Sequence, residues 1–374
     1  MGDFFNLQAG KFIQASDIHE KSSQYPYPCY GGNGIRGFVS SYNRDGSFPV
    51  IGRQGALCGN INYASGKIYA TEHAVVVESY GGTNVDWARY LLEGLNLNQY
   101  ATATAQPGLS VKTINEVLIP IPPAKEQTRI AVCLQASLES VKILEDITTS
   151  LIFSVSETKS KLLDLAIHGK LVPQDSSDEP AIELLRRINP SFKPSDNLHY
   201  AGTIPSGWQV CHLSDIFDVT MGQSPDGNSL NKTDGIEFHQ GKICFAEKYL
   251  SKSNVFTSAP TKEATSNSLL CCVRAPVGVF NITQRTICIG RGLCALTPRL
   301  DDVELDYWFY ALSSYKDYYE EKATGTTFKA ISGEVIRRTI VLLPPRLEQR
   351  RIIIRITELF SLLDQVSNSI NGLE

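Results

Sequence analysis

Nothing in the 374-residue sequence approaches the run of about eighteen apolar residues that a bilayer span requires, so no membrane-crossing helix is expected. The opening Met1-Gly2-Asp3-Phe4-Phe5-Asn6 has no basic leader and no Ser or Thr at position six, which points away from secretion and myristoylation. No two of the nine cysteines stand in C-x-x-C spacing. Most lie in apolar runs such as Leu269-Leu270-Cys271-Cys272-Val273, as expected of buried reduced thiols in a cytoplasmic protein. The six histidines show no metal spacing, no G-x-x-x-x-G-K-[ST] loop offers an ATP site, and no G-x-S-x-G marks a nucleophile. Asn189-Pro190-Ser191-Phe192 has Ser where an amino-methyltransferase loop has its second Pro, and no glycine-rich cofactor turn precedes it. Glu320-Glu321-Lys322 matches half of a nuclease signature, but the nearest Pro-Asp pair, Pro225-Asp226, lies 94 residues upstream (320 − 226). The net charge of −4 argues against a wholesale polyanion binder while leaving room for a local basic groove.

What is present is a stretch that occurs twice. Ile121-Pro122-Pro123-Ala124-Lys125-Glu126-Gln127-Thr128-Arg129-Ile130 returns as Leu343-Pro344-Pro345-Arg346-Leu347-Glu348-Gln349-Arg350-Arg351-Ile352. Each copy leads into apolar residues at alternating steps of four and three. The first ladder runs through Ile130, Leu134, Val141, Leu144 and Leu151, and the second through Ile352, Ile356, Leu359, Leu363, Val366 and Ile370. That spacing makes one seam along a helix, and such a seam is satisfied by another helix, most simply its own repeat. Proline suits a helix start and Gly169 suits a helix end. A single amphipathic helix would be read as core, but independent core helices have no reason to share a motif in register.

The repeat continues between the helices. Asp3 to Gly10 echoes Asp215 to Gly222; Ile51 to Ala56 with Asn60-Ile61 echoes Val273 to Gly278 with Asn281-Ile282; Asp86-Trp87 echoes Asp306-Tyr307. The match sets Arg53 beside Arg274 and Asn60 beside Asn281. Short β-type runs such as Val75-Val76-Val77 alternate with Gly, Asn and Asp turns, and the Trp87 and Trp308 segments have helical character, so each unit is expected to be α+β. The chain therefore divides into a globular unit (1–118), a long helix (119–170), a linker with a short helix (171–203), a second globular unit (204–341) and a second, shorter helix (342–374). The first unit has no counterpart of Ile204-Pro205-Ser206-Gly207-Trp208.

The polar residues that stand out lie in glycine-rich loops. Arg pairs bidentately with guanine and Asn or Gln with adenine, and neighbouring glycines let the backbone approach phosphate. Arg53 and Arg274 are the first candidates for DNA contact. Gln54, Asn60, His73, Gln223, Asn281, Arg291 and Lys329 follow.

The Pro-Pro-x-x-Glu-Gln-x-Arg-Ile motif, the helix ending Ile167-His168-Gly169-Lys170-Leu171-Val172-Pro173-Gln174 and the following Asp178 to Leu185 resemble the central helical region of the specificity subunit of type I restriction-modification systems. Tyr30 to Gly55 and Ile204 to Trp208 are similar to that family's target-recognition domains. The resemblance implies an α+β fold in which two such domains are joined by a pair of long antiparallel coiled-coil helices with an internal pseudo-twofold repeat. It also implies a non-catalytic subunit that reads a bipartite double-stranded DNA target, one domain per half-site, with helix length setting the gap. Its partners would be two methylation subunits and the restriction subunits; S-adenosylmethionine, ATP and Mg would sit on those partners, with no cofactor and no metal on this chain. Two other classes stay open: a stand-alone DNA methyltransferase or nuclease, which would act with no second protein, and a coiled-coil protein-binding scaffold, which would shift no DNA.

Overall fold

Val75, Val76 and Val77 are all buried because the strand that carries them lies between two packed layers. The computed structural model describes residues 1–55, 57–102, 107–194, 203–325 and 329–372. Alternate strand residues face opposite ways. Val75 and Val77 join Phe5, Leu7, Ile51 and Trp87 in one core, while Val76 joins Val50, Ala64 and Ile68 on the other face. The strands are β1 (Phe5–Ala9), β2 (Tyr27–Gly31), β3 (Gly34–Val39), β4 (Arg44–Gly52), β5 (Ile61–Ala70) and β6 (Ala74–Ser79). They form one sheet in the order β1-β6-β4-β5-β2-β3. Helix α1 (Val85–Gly94) starts where the Asn84 side chain accepts the Trp87 amide at 2.9 Å, and α2 (Val111–Glu116) where Ser110 accepts that of Thr113 at 3.0 Å. Both are N-caps that use an otherwise orphaned first-turn donor.

Helix α3 (Ala124–Ile167) runs for 44 residues, about 65 Å at 1.5 Å per residue. Its start shows why the Pro-Pro-x-x-Glu-Gln motif needs its glutamine: the Gln127 side chain donates back to the Pro122 carbonyl at 2.9 Å and accepts the Asn84 amide at 3.1 Å. Its end is a Schellman closure. Gly169 sits at φ +65°, and the Lys170 amide donates to the Leu165 carbonyl at 2.8 Å. The chain divides within this helix into two units, Met1–Ile147 and Thr148–Glu374.

In the second unit α4 (Ala181–Ile188) occupies the linker, of which residues 195–202 lie outside those described. Strand β7 (Gln209–His212), helix α5 (Leu213–Ile216) and β8 (Phe217–Met221) follow. Next come β9 (Leu230–Asn231), β10 (Ile236–His239), β11 (Phe256–Thr257), β12 (Glu263–Ala264), β13 (Ser268–Cys272), β14 (Phe280–Thr283), β15 (Ile287–Ile289) and β16 (Leu293–Pro298). Helices α6 (Leu305–Ser313), α7 (Lys316–Lys322) and α8 (Gly333–Arg337), strand β17 (Ile340–Leu343) and helix α9 (Arg346–Asn371) complete it. The sheet order β8-β16-β13-β14 reproduces β1-β6-β4-β5 strand for strand. Beyond that shared core the two differ: β2-β3 extends the first sheet, whereas β12-β15-β10-β11-β9 forms a separate sheet in the second. Among the described residues no helix is long and apolar enough to cross a membrane, and all cysteines but Cys133 and Cys244 are buried.

The second half of α3 and α9 lie antiparallel within the second unit. Lys159 pairs with Asp364 at 2.5 Å and sits over the Phe360 ring at 5.1 Å, while Leu151 shares a groove with Val366 and Ile370. Ala166, Ile352 and Ile356 are buried in one cluster, and Leu359 and Leu363 are half-buried. Elsewhere the ladder departs from a continuous seam. Ile130 packs against its own unit's core, beside Ala131, because it lies only two turns into α3 where the helix still rests on that domain. Leu134, Val141, Leu144, Leu151 and Val366 are exposed.

One partly buried ion pair braces the separate sheet. Arg285 donates to both oxygens of Glu237, at 2.9 and 2.6 Å, and His239 and the Ser253 amide share the same carboxylate. Burial alone would raise the Glu237 pKa, but these partners bring it down to about 2. A folded value below the unfolded one of roughly 4.3 means the stabilisation is complete above that value and is lost as pH falls towards 2. Urea midpoints measured between pH 5 and pH 2.5 are therefore expected to fall more steeply for the native chain than for Glu237→Gln.

Candidate nucleic-acid interface

The turn from β4 to β5 and its counterpart after β13 are built on the same hydrogen bonds. In the first unit the Gly52 amide donates to Asn60 O, Gly59 to Gly52 O, Arg53 to His73 O, Gly55 to Pro107 O and Leu109 to Arg53 O, all between 2.7 and 3.0 Å. In the second unit Cys272 donates to Val279 O, Gly278 to Cys272 O, Val273 to Gly292 O, Ala275 to Lys329 O and Ile331 to Val273 O, between 2.9 and 3.3 Å. The isolated bridges agree: Gln54 with Gly108, and Arg274 with Ala330. This backbone frame equates Gln54 with Arg274, one position away from the pairing of Arg53 with Arg274 that matching letters predicts. The structural partner of Arg53 is Val273, which is buried. Likewise Val50 faces Asn62 and Leu270 faces Asn281, so the partner of Asn281 is Asn62 and not Asn60.

In the first unit the tip of the β2-β3 hairpin lies directly against this turn. A Cβ on Gly52 would meet the Gly32 carbonyl oxygen at 1.8 Å, so only glycine permits the approach. Asn60 holds the hairpin there. With its amide oriented to satisfy its neighbours, its nitrogen donates to Gly32 O and Leu57 O, both at 2.9 Å. Asn60 is therefore a loop brace first. Gln54 is exposed beside it, and Arg53 is half-buried with an Nε that has no partner among the described residues. His73 stands next to Glu72, its Nε2 3.1 Å from that carboxylate. Ala56 lies outside the described residues.

The second unit brings its candidates closer together. Arg274 and Lys242 line one cavity with Gln240 and Gly292, Arg291 precedes that glycine, and the Lys329 carbonyl accepts the Ala275 amide at 3.3 Å. Gln223, Arg274, Arg291 and Lys329 are exposed. Asn281 is not part of this surface. It is fully buried in β14 and donates to the Ala246 carbonyl at 2.9 Å, because its place in the strand turns it inward. Lys242 is a residue that the sequence reading does not single out, although Gly241 beside it is the same signal that marks Arg291.

Many of the arginines meet carboxylates: Arg44 with Glu78, Arg285 with Glu237, Arg299 with Asp218, Arg346 with Asp302 and Glu304, Arg351 with Asp178. Arg36 on the β3 side of the hairpin, Arg53, Lys242, Arg274, Arg291 and Lys329 have no carboxylate partner among the described residues. Positive charge left unneutralised beside glycine-rich backbone can hold phosphate oxygens or guanine edges. Among the described residues no group of His, Cys, Asp or Glu could hold a metal ion.

Known proteins resemble this chain over most of its length. The family described as type I restriction modification DNA specificity domain matches residues 1–151 and 205–374. The chain is 45% identical over 161 residues to the Type I restriction enzyme EcoprrI specificity subunit of Escherichia coli, covering 43% of this chain and 38% of that protein. It is 32% identical over 265 residues to the Putative type I restriction enzyme MjaX specificity subunit of Methanocaldococcus jannaschii, covering 70% and 57%. The chain thus spans less than two thirds of the length of either relative. A chain solved in work on complex assembly and conformational transition of the type I R-M system superposes with a TM-score of 0.70 at 21% identity, covering 100% of this chain and 92% of the other. The HsdS subunit from Thermoanaerobacter tengcongensis gives 0.56 at 22% identity, covering 89% and 79%. At those identities the superpositions establish the fold. With most of its length matched by the family, in both of its repeated halves, this chain belongs to the type I restriction modification DNA specificity domain family.

Proposed function

We propose that the chain is the non-catalytic DNA sequence-specificity subunit of a type I restriction-modification complex in the cytoplasm, each globular unit reading one half of a bipartite duplex target. The observation that carries this reading is the duplicated turn frame, which presents Gln54 in one unit and Arg274 in the other at equivalent backbone positions. Both side chains suit base edges, and the unpaired cations around them suit phosphate. Two methylation subunits and the restriction subunits are the proposed partners, with S-adenosylmethionine, ATP and Mg held by them.

Co-expression with the methylation partner, followed by genome-wide mapping of modified adenine, tests the reading. The expected result is one split motif with a constant gap. A four-residue insertion after Leu144, about 6 Å of helix, is expected to lengthen that gap and leave both half-motifs as they were. Methylation or cleavage by the purified chain alone would instead establish an enzyme, and absence of any DNA shift with the partner present would favour a protein scaffold.

A further inference from the structure

The two units share a second piece of backbone besides the turn. In the first, β2 runs parallel to the end of β5 with Tyr30 facing Ala70, and the Thr71 amide donates to the Tyr30 carbonyl at 2.9 Å. In the second, β10 runs parallel to β15 with His239 facing Ile289, and the Gly290 amide donates to the His239 carbonyl at 2.8 Å. The neighbouring segments agree. Gly10 donates to Ala74 O and Lys11 to Ala70 O, where Gly222 donates to Leu293 O and Gln223 to Ile289 O, each at 2.9 Å. Tyr30 and His239 are therefore equivalent, and so is the chain that leaves each of them beside the turn, although no matching letters mark it.

In both units that chain exposes an isoleucine next to a cation. Ile243 follows Lys242 in the 3-10 turn after β10 and is 94% exposed. Ile35 precedes Arg36 in β3, across from Tyr30, and is 53% exposed. Each lies beside the residues that suit base edges. Lys242 lines the Arg274 cavity, and in the hairpin tip a Cβ on Gly32 would come within 3.0 Å of the Gln54 carbonyl oxygen. An isoleucine has no hydrogen bond to give a phosphate or the polar edge of a base. In the major groove its one complementary group is the C5 methyl of thymine, and contact there takes apolar surface on both partners out of water.

Given the DNA-reading function proposed above, on which this rests, we propose that Ile243 and Ile35 are specificity-determining residues, each packing on a thymine C5 methyl in the half-site its own unit reads. The methyl is carried by one strand only, so the contact selects an A·T pair in one orientation. It adds an apolar feature to the polar readout by Arg274 and Gln54. Cytosine has no methyl at C5, and a C·G pair at that position leaves the isoleucine in water.

The test uses the chain with its methylation partner and duplexes that carry the mapped target, each thymine in turn replaced by uracil. Uracil keeps every hydrogen-bonding group and lacks only the methyl. For the native complex one thymine in each half-site is expected to be sensitive, its replacement weakening binding in competition by about fourfold, the worth of one CH2 group removed from water. Ile243→Ala is expected to abolish that sensitivity in one half-site and leave the other intact, and Ile35→Ala to do the reverse. The native arm of the experiment needs no variant to fold. Uracil that weakens binding nowhere overturns the inference, and so does sensitivity that both variants retain, because another group would then hold the methyl. Either outcome leaves a complex that binds its split target, so the DNA-reading function stands, whereas a complex that binds no DNA removes both.

Discussion

Arg274→Ala is expected to weaken binding to the chain's DNA target by about 1–3 kcal/mol, the range for losing one bidentate contact to a base edge. The loss should depend on one half-site. Duplexes altered at the position that Arg274 reads should bind native and variant chains alike, while duplexes altered in the other half-site should show the full difference. The expectation follows from the exposed position of Arg274, its lack of any carboxylate partner among the described residues, and a turn whose backbone is held on both sides. If the loss is equal on every sequence and the salt dependence becomes shallower, Arg274 holds a phosphate. No loss removes it from the interface. Arg53→Ala serves as a contrast: its frame partner is the buried Val273, so the two arginines are not equivalent, and Gln54→Ala is the substitution that matches Arg274→Ala.

That non-equivalence also shows where the sequence stops being legible. The existence of both long helices could be read, with their ends three to five residues inside the expected 119–170 and 342–374, because apolar steps of four and three have one meaning and Gly169 ends a helix for steric reasons. The repeat could be read too, since it survives in the order of four strands. The register of the loops could not. The frame closes between Gly52 and Asn60 in one unit and between Cys272 and Val279 in the other, one residue sooner, and matching letters cannot locate that deletion. Burial along the ladders was equally hidden. Leu144 and Val366 occupy the same seam as Ile352 yet stand exposed, because what covers a seam position is set by segments distant in sequence. Asn281 illustrates the limit for site residues: Asn in a strand faces solvent or core according to a single step of register.

Trp208→Ala is expected to destabilise the second unit by about 3–5 kcal/mol, the usual range for truncating a large buried aromatic. Trp208 is buried, and its ring approaches the Gly169 turn so closely that a Cβ there would lie 3.1 Å from it. Its indole N–H is also the donor to the buried Glu348 carboxylate, whose other oxygen has no partner among the described residues. Trp208→Phe keeps most of the volume and removes that donor, so it is expected to cost less, about 1.5–3 kcal/mol for a hydrogen bond to a charged group. The two effects separate by pH. Burial raises the Glu348 pKa, and the Trp208 hydrogen bond and the Arg351 charge oppose the rise. Without the indole the carboxyl moves further up, and a folded value above the unfolded one gives stability that is complete below the unfolded value and lost as pH rises through the folded one. The penalty of Trp208→Phe should therefore be larger at pH 7 than at pH 4.5, whereas the cavity part of Trp208→Ala should be the same at both. Urea unfolding of the two variants at those two pH values checks this, and a Phe penalty that does not change with pH would show that Glu348 takes no part in holding the helix start to the segment before β7.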